Sequence, residues 1–362
     1  MRRLLYVTPP LRTPGRGGRE MLANLHWQCL RVLLGNEAEM HVLPPARPTL
    51  VGAARGEIDG ATRSAGQALA ERIEVEGFDR IFLNGSNLGQ LAMMVKSAHP
   101  RVEVLTFFHN VETRFFLGAL RQRPGPRAFA ILAANHVAER MAARFSDRLI
   151  MLNTRDAADV RRLHGHEATD TLPMALADTR ATAETAPPID GNYLLFVGGG
   201  FYANQSGIRW FVRKVMPHIT QSLCIVGQGL ETLLAEFAGN PRVRVIGAVD
   251  DLDPWYRHAT AIVAPIFSGS GMKTKVAEAL MHGKAIMGTR EAFEGYDAAS
   301  GLLGSCCGNR EDFVRAVRAM EVAPHLPFDP ERRALYDRHY STDAARRRLA
   351  EILADSNPGT NS

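Results

Sequence analysis

Apolar and polar positions along this chain fall into two successive series of strand and helix. In the first, short apolar runs at residues 4–8, 39–43, 81–84, 102–107 and 148–152 read as strands buried in a parallel sheet. Between them lie stretches with helical spacing, among them Met21, Leu22, Leu25 and Leu30, and residues 88–96, 129–145 and 154–163. Residues 44–60, rich in Pro, Ala and Gly, read as a loop. Residues 178–192 carry Pro, Thr, Ala and Gly with no apolar period and predict a linker. A second series follows, with strands at 193–197, 223–226, 243–246, 261–265, 285–287 and 302–305, and helices that include 207–215 and 253–258. Strand and helix in alternation predict parallel sheets. The expected architecture is α/β: two doubly wound, Rossmann-like domains facing a cleft, at residues 1–178 and 193–335, joined by 179–192. Residues 336–354 are expected to form an amphipathic helix packing back toward the first domain, and 355–362 a disordered tail.

The candidate chemistry concentrates in residues 263–289. Residues 263–266 predict a strand, and Gly269, Ser270 and Gly271 a tight turn with close backbone approach. Ser270 is the expected cap of a helix striped by Val276, Ala277, Leu280 and Met281, which Gly283 ends. Lys273 and Lys275 then fall in the first helical turn, where the dipole disfavours a cation by ~0.3–1 kcal/mol. Cations beside bare N–H groups point to an anionic guest, a phosphate or diphosphate. Glu278, one turn on, cannot bind phosphate but can accept from sugar hydroxyls. Together these fit a nucleotide; the plain alternative is a packing turn with solvated lysines.

Better-known phosphate motifs do not fit. Gly283 and Lys284 are followed by Ala285 and end a helix, whereas a Walker loop begins one. Gly198, Gly199, Gly200 and Ala203 follow a strand, but the acidic residue a dinucleotide site needs is missing, because residues 223–226 run into Gly227, Gln228 and Gly229. Asp251 and Asp253 have the look of a metal pair; Asp253 precedes Pro254 and is better read as a helix cap. No metal is expected.

In the first series, Gly17 and Gly18 sit between strand and helix, where a ligand can approach the backbone or the chain can simply turn. The strand at 102–107 delivers His109 and Glu112 to the same sheet edge. A histidine there can touch a reacting group or serve as an ordinary hydrogen-bonding residue. Phe115, Phe116, Leu117 and Leu120, with Arg121, Arg123 and Arg127, read as a core-facing helix with a basic flank; docking on an anionic membrane is the alternative.

Length, 362 residues, suits two domains, and an apolar content of 46% supplies two cores. The net charge of +5 fits anionic small molecules or an anionic membrane face and is too small and scattered to argue for nucleic acid. Cys29, Cys224, Cys306 and Cys307 lack metal-ligand spacing and form no disulfide framework, which fits a reducing cytoplasm. No cleavable signal or bilayer-length apolar run is seen, so any membrane contact is expected to be peripheral, on the inner face.

The second half resembles the nucleotide-sugar domain of GT-B glycosyltransferases, specifically glycosyltransferase family 4, the glycosyl transferases of group 1. The resemblance rests on Phe196, Val197 and Gly198; Ile225 to Gly229; Val245, Ile246, Gly247, Ala248 and Val249; Ala264 and Pro265; Gly269, Ser270 and Gly271 through Lys275; and Glu278, Ala279 and Leu280. In the first half, Gly17, Gly18 and His109 to Glu112 are similar to that family as well. The resemblance implies retaining, metal-independent transfer of a sugar, such as a hexose, from a nucleotide diphosphate donor to a glycan, lipid-linked or other hydroxyl acceptor in bacterial polysaccharide or glycoconjugate synthesis. By position it implies that Glu278 binds ribose, Gly271, Met272, Lys273, Thr274 and Lys275 hold the diphosphate, and Gly247 and Val249 flank the base. Gly198, Ser270, Gly17 and Gly18 complete the donor set, and His109 faces the transferred sugar. Two departures stand out. Ser270 replaces a glutamate expected eight residues before Glu278, and Phe201, Tyr202, Asn204 and Gln205 occupy a zone where an Arg and a Lys are expected. Lys273 and Lys275 are expected to replace that charge. An epimerase of the same fold would need His109 and Glu112 as acid and base; a non-catalytic nucleotide-sugar binder would fit Ser270.

Overall fold

The computed structural model describes residues 3–11, 18–47, 49–183, 185–322 and 327–354. Gly17 and residues 355–362 lie outside the described residues. The chain divides into two compact units, Met1–Pro173 with Thr342–Ser362, and Met174–Ser341.

The first unit runs β1 (Leu4–Thr8), α1 (Gly18–Leu34), β2 (Ala38–Val42), α2 (Leu50–Ala54), α3 (Arg63–Glu76), β3 (Arg80–Asn84), α4 (Gly89–Ala98), β4 (Glu103–Phe108), α5 (Glu112–Gln122), α6 (Pro126–Phe145), β5 (Arg148–Met151), α7 (Thr154–His164) and β6 (Asp170–Thr171). Its sheet is parallel in the order β2-β1-β3-β4-β5-β6. Leu5, Val7, Ile81, Leu83 and Val104 point from the strands into a core completed by Leu69 and Ile73 of α3 and Leu91 and Val95 of α4. The Pro-rich loop after β2 contains the short helix α2, capped by Thr49. β6 has no apolar signature; Arg148 holds its Asp170 through both carboxylate oxygens at 2.6 and 2.8 Å.

The second unit runs β7 (Tyr193–Val197), α8 (Tyr202–Lys214), β8 (Ser222–Val226), α9 (Leu234–Phe237), β9 (Val243–Gly247), α10 (Asp253–His258), β10 (Ala261–Ala264), α11 (Thr274–Met281), β11 (Ile286–Gly288), β12 (Gly304–Cys306), α12 (Arg310–Val322) and α13 (Pro330–His339). Its sheet is parallel in the order β12-β11-β10-β7-β8-β9. Every residue of β7 and β10 is buried, as expected for central strands covered on both faces. Residues 179–192 belong to this unit; Arg257 donates to the Ala181 carbonyl at 2.7 Å. The last helix, α14 (Thr342–Ala354), returns to the first unit, where Arg80 and Arg148 bond the Leu353 and Ile352 carbonyls at 3.1 and 2.8 Å.

Candidate functional site

In the second unit the sheet order reverses between β7 and β10, and the loops after those strands lead away to opposite sides. Doubly wound sheets bind ligands at the carboxyl ends of the strands at such a point. Gly198, Gly199 and Gly200 follow β7, and residues 265–273 follow β10. A Cβ on Gly207 of α8 would lie 1.9 Å from the Pro265 carbonyl oxygen, so glycine is what lets this helix reach the β10 loop.

Lys275, the second residue of α11, joins the two sides. Its Nζ donates to Asn204 Oδ1 at 2.8 Å and lies 4.2 Å from the centre of the Phe196 ring. Asn204 spends its amide nitrogen on the Gly199 carbonyl at 2.8 Å, anchoring the glycine loop and turning its oxygen to the lysine. Burial draws the Lys275 pKa down to about 7, against the raising effect of Glu278. Glu278 accepts from the Tyr256 hydroxyl at 2.6 Å; burial raises its pKa, while that bond and Lys275 lower it.

Several expectations are corrected here. Ser270 does not cap α11. The helix begins at Thr274 with Lys273 as N-cap and no side-chain cap bond, because Gly269 and Gly271, at φ +150° and +66°, keep the preceding chain out of helical geometry. Nor are the lysines solvated: Lys275 is 5% exposed, and Lys273 pairs with Glu291 at 3.0 Å and donates to the Gly271 carbonyl at 2.7 Å. Met272 is a core residue whose sulfur accepts from the Met174 amide at 3.3 Å. Asp253 is not a cap either; it is the first residue of α10, fully buried, with its carboxylate taken by Arg257 and by His282 at 3.1 Å. Lys284 is structural, tying the carbonyls of Arg257, Ala259 and Pro327 at 2.6 to 2.9 Å. Among the described residues, no group of three or more His, Cys, Asp or Glu could hold a metal ion.

The remaining predicted donor residues lie at strand ends. Gly198 directly follows β7, and its missing side chain leaves room for Asn204, whose Nδ2 is 2.5 Å from where a Cβ would be. Gly247 ends β9 at φ +80°, and Glu231 accepts from the next amide, that of Ala248, at 2.8 Å. Val249 is half-buried just beyond.

In the first unit the reversal falls between β1 and β3. A cavity of about 300 Å³ lies at the carboxyl ends of these strands, lined by Thr8, Arg19, Asp59 and Asn84 among others. His109 follows β4, and its Nε2 donates to Asn84 Oδ1 at 2.8 Å. The Asn84 amide nitrogen is engaged with Thr8 Oγ1 at 3.1 Å, which fixes its orientation and makes Nε2 the protonated ring nitrogen. Burial above all, then Arg19 and His26, hold the His109 pKa well below the usual histidine range, so the ring is neutral. Glu112 is the first residue of α5. Burial raises its pKa to about 7, with Glu139 and Asp59 adding and Arg19 opposing. Asp59, at φ +50°, is the one non-glycine residue with positive φ among the described residues. Arg19 donates to its carboxylate at 3.0 Å and to Asn87 Oδ1 at 2.9 Å, the Asn87 amide nitrogen also donates to Asp59, and strain of this kind gathers at functional sites. Gly18 is the first residue of α1, next to Arg19.

Residues 191–320 match the family described as glycosyl transferases group 1. The second unit carries a group 1 glycosyltransferase domain. The whole chain has the GT-B fold. It is similar to HepE of Anabaena in complex with UDP-glucose, at 12% identity and TM-score 0.64, covering 97% of this chain and 99% of that one. It is similar to a glycosyltransferase from Rickettsia africae ESF-5, at 11% identity and TM-score 0.68, covering 98% and 99%. A trehalose-6-phosphate synthase analysed for glycosyl transfer with retention superposes at 12% identity and TM-score 0.66, covering 99% and 100%. At these identities the likeness establishes the fold. No curated protein sequence matches this chain.

Within the transferase domain, Gly198, Lys275 and Glu278 gather at one switch point, while Gly247 and Val249 stand two strands away, beyond β8. His109, Glu112 and Gly18 belong to the first unit. Sequence reasoning named Asn204 only as a departure and missed Tyr256, Arg19, Asn84, Asp59 and Glu139. Of these, Asp59, just before Gly60 in a Pro- and Gly-rich stretch, had a turn signal; the others sit on elements with no motif.

Proposed function

We propose that this protein transfers a glycosyl group from a nucleoside diphosphate sugar to a hydroxyl acceptor, with retention and without a metal ion. The observation that carries this reading is the buried ammonium of Lys275 at the switch point of the transferase domain, with Glu278 one turn away. Departure of the diphosphate builds negative charge. A preorganised cation in a site shielded from water stabilises that charge far better than one in solution. Glu278, steadied by Tyr256, takes the ribose hydroxyls, and Gly247 and Val249 flank the base. The amides of residues 271–275 hold the phosphates, and Ser270 offers the sugar a hydroxyl where a carboxylate was expected.

In the step itself the acceptor oxygen bonds to the anomeric carbon on the face from which the diphosphate leaves, and the acceptor proton passes to the departing phosphate oxygen. No side-chain nucleophile is needed. Likeness to a trehalose-6-phosphate synthase analysed for transfer with retention supports that stereochemistry. The acceptor, a glycan or lipid-linked hydroxyl compound of polysaccharide or glycoconjugate synthesis, enters the first unit's cavity near Asn84, with His109 and Glu112 at its reacting end. Four free cysteines support a cytoplasmic setting.

HepE was solved with UDP-glucose, which makes that compound the first donor to test. Thermal shift with UDP-, GDP- and ADP-sugars reads donor binding by mass action. A panel in which no nucleotide sugar raises the melting temperature sinks the proposal. Epimerised donor formed without acceptor reassigns the site as an epimerase. Binding without turnover, the reading that Ser270 favours, leaves a sugar-nucleotide receptor.

A further inference from the structure

The hairpin of α5 and α6 presents an apolar surface ringed by arginine. Amphipathic spacing predicted that the apolar stripe of α5 faces the core. The structure bears this out only in part: Thr113 is the one residue of the helix that is wholly buried, and Phe115, Phe116, Leu117 and Leu120 are half-buried, each keeping part of its surface open. The apolar surface continues past the turn to Phe129, 64% exposed, and Ile131, 38% exposed. A soluble surface tolerates single exposed apolar residues, but a contiguous set of aromatic and aliphatic side chains marks a surface that something covers.

The charge says what covers it. Residues 113–138 contain Arg114, Arg121, Arg123 and Arg127 and no Asp or Glu. Arg114 is taken by Asp159 of α7. Arg121, Arg123 and Arg127 are exposed and have no ion pair among the described residues. Arg140 and Arg144, also exposed, lie on the same face of α6 as Phe129, spaced by three and four turns of the helix. No helix of the described residues is long and apolar enough to cross a membrane. Half-buried Phe and Leu on a short helix, continued by exposed Phe129 and Ile131 and flanked by exposed arginines, are the features of an element that lies in the plane of a bilayer surface, with rings at the acyl boundary and guanidinium groups at the headgroups.

We propose that the tip of the α5–α6 hairpin docks the protein on a membrane rich in anionic phospholipid, through Arg121, Arg123 and Arg127 with Phe116, Leu120 and Phe129 as the apolar wedge. The proposal does not depend on which sugar is moved. Docking here holds the first unit, which carries the cavity, against the surface where a lipid-linked hydroxyl would be found.

Sedimentation of the full chain with vesicles tests it, using phosphatidylcholine alone and phosphatidylcholine mixed with phosphatidylglycerol. The chain should sediment with the mixed vesicles only and be released by salt. Replacing the three arginines by glutamine should weaken binding by roughly fivefold per residue, on the order of a hundredfold together. Phe129→Ser should weaken it by roughly tenfold or more. All four side chains are exposed, so both variants should keep the wild-type melting temperature and the wild-type shift with UDP-glucose. That shift separates loss of docking from failure of the donor assignment. Equal binding to both vesicle types, or wild-type binding by the triple variant, overturns the proposal. So does a dimer in sedimentation velocity that Phe129→Ser dissolves, because a second copy would then be the cover.

Discussion

The ammonium of Lys275 on α11 lies 2.8 Å from the Asn204 side-chain oxygen on α8 and has almost no access to water. Its pKa is about 7 in the folded chain, where a lysine in the unfolded chain keeps its usual, much higher value. The sign follows. Below about pH 7 both states are charged and the fold bears the full penalty of a buried ammonium. As pH rises from there toward the ordinary lysine value, the unfolded chain binds more protons than the folded one, and stability increases. A bound diphosphate favours the charged form. UDP-glucose, whose diphosphate charge is constant near neutrality, should therefore bind with proton uptake, and its affinity should fall as pH rises above about 7. Calorimetry in buffers of different ionisation enthalpy reads the proton directly. Lys275→Met should remove the uptake and weaken binding by roughly ten- to a hundredfold, the worth of a hydrogen bond to a charged group. A pH-independent affinity in the wild type contradicts the assignment.

Glu278 and Tyr256 form a second pair, at 2.6 Å between hydroxyl and carboxylate. With one carboxylate oxygen held, the group is oriented to accept from a ribose. Glu278→Ala should weaken UDP and uridine by the same factor, about tenfold or more, because the lost contacts are to the sugar they share. Tyr256→Phe should cost less and shift the same two ligands together. Isothermal titration with both ligands checks this, and loss confined to UDP contradicts it.

These pairs also mark what was legible in the chain. The alternation of apolar runs gave eleven of the twelve parallel strands of the described residues to within a residue or two; β6 was missed, because its Asp170 and Thr171 carry no apolar pattern and its aspartate is instead held by Arg148. Helix α3 was passed over although Thr62 caps it, Gly77 ends it and Ala65, Leu69 and Ile73 are spaced by one turn. The glycine loops and Lys275 could be read because a tight turn and a first-turn cation are local signals. Tyr256 could not, because nothing local ties it to a carboxylate twenty-two residues later in the chain. The exposure of α5 was equally hidden. Amphipathic spacing reports that an apolar stripe exists and leaves open what covers it.

His109 and Glu112 should separate by pH. His109 is neutral across the working range, since its pKa is held well below the usual one. His109→Ala should therefore lower kcat while leaving donor affinity and the pH profile in place. Glu112 ionises near pH 7. Its charged carboxylate can accept a hydrogen bond from the acceptor hydroxyl and orient it, so kcat should rise through pH 7, and Glu112→Gln should flatten that limb. Its burial adds a stability effect of known sign. The raised pKa means the fold resists the charge, so stability declines as pH climbs from the usual carboxylate range through about 7. Glu112→Gln should melt higher than wild type above pH 7 and match it below pH 4. A wild-type limb in the Glu112 variant removes the residue from the acceptor's reacting end.

Glu139 shows how the first unit sets that geometry. It is fully buried on α6, yet its carboxylate accepts from the backbone amides of Glu112 at 2.5 Å and Thr113 at 3.3 Å, and meets His164 Nε2 at 2.8 Å. A carboxylate over two free amides is favourable at a helix N-terminus, and here it comes from another helix. It thus fixes both the start of α5 and the position of Glu112. Glu139→Ala should lower stability by about 2–3 kcal/mol, leaving two amides and a histidine without their partner. Glu139→Gln keeps one acceptor oxygen and should cost less. It should also lower the pKa of Glu112, because a neighbouring negative charge is gone. The limb of kcat near pH 7 should then move to lower pH in Glu139→Gln while donor affinity stays unchanged, an outcome that a purely structural role for Glu139 would not produce.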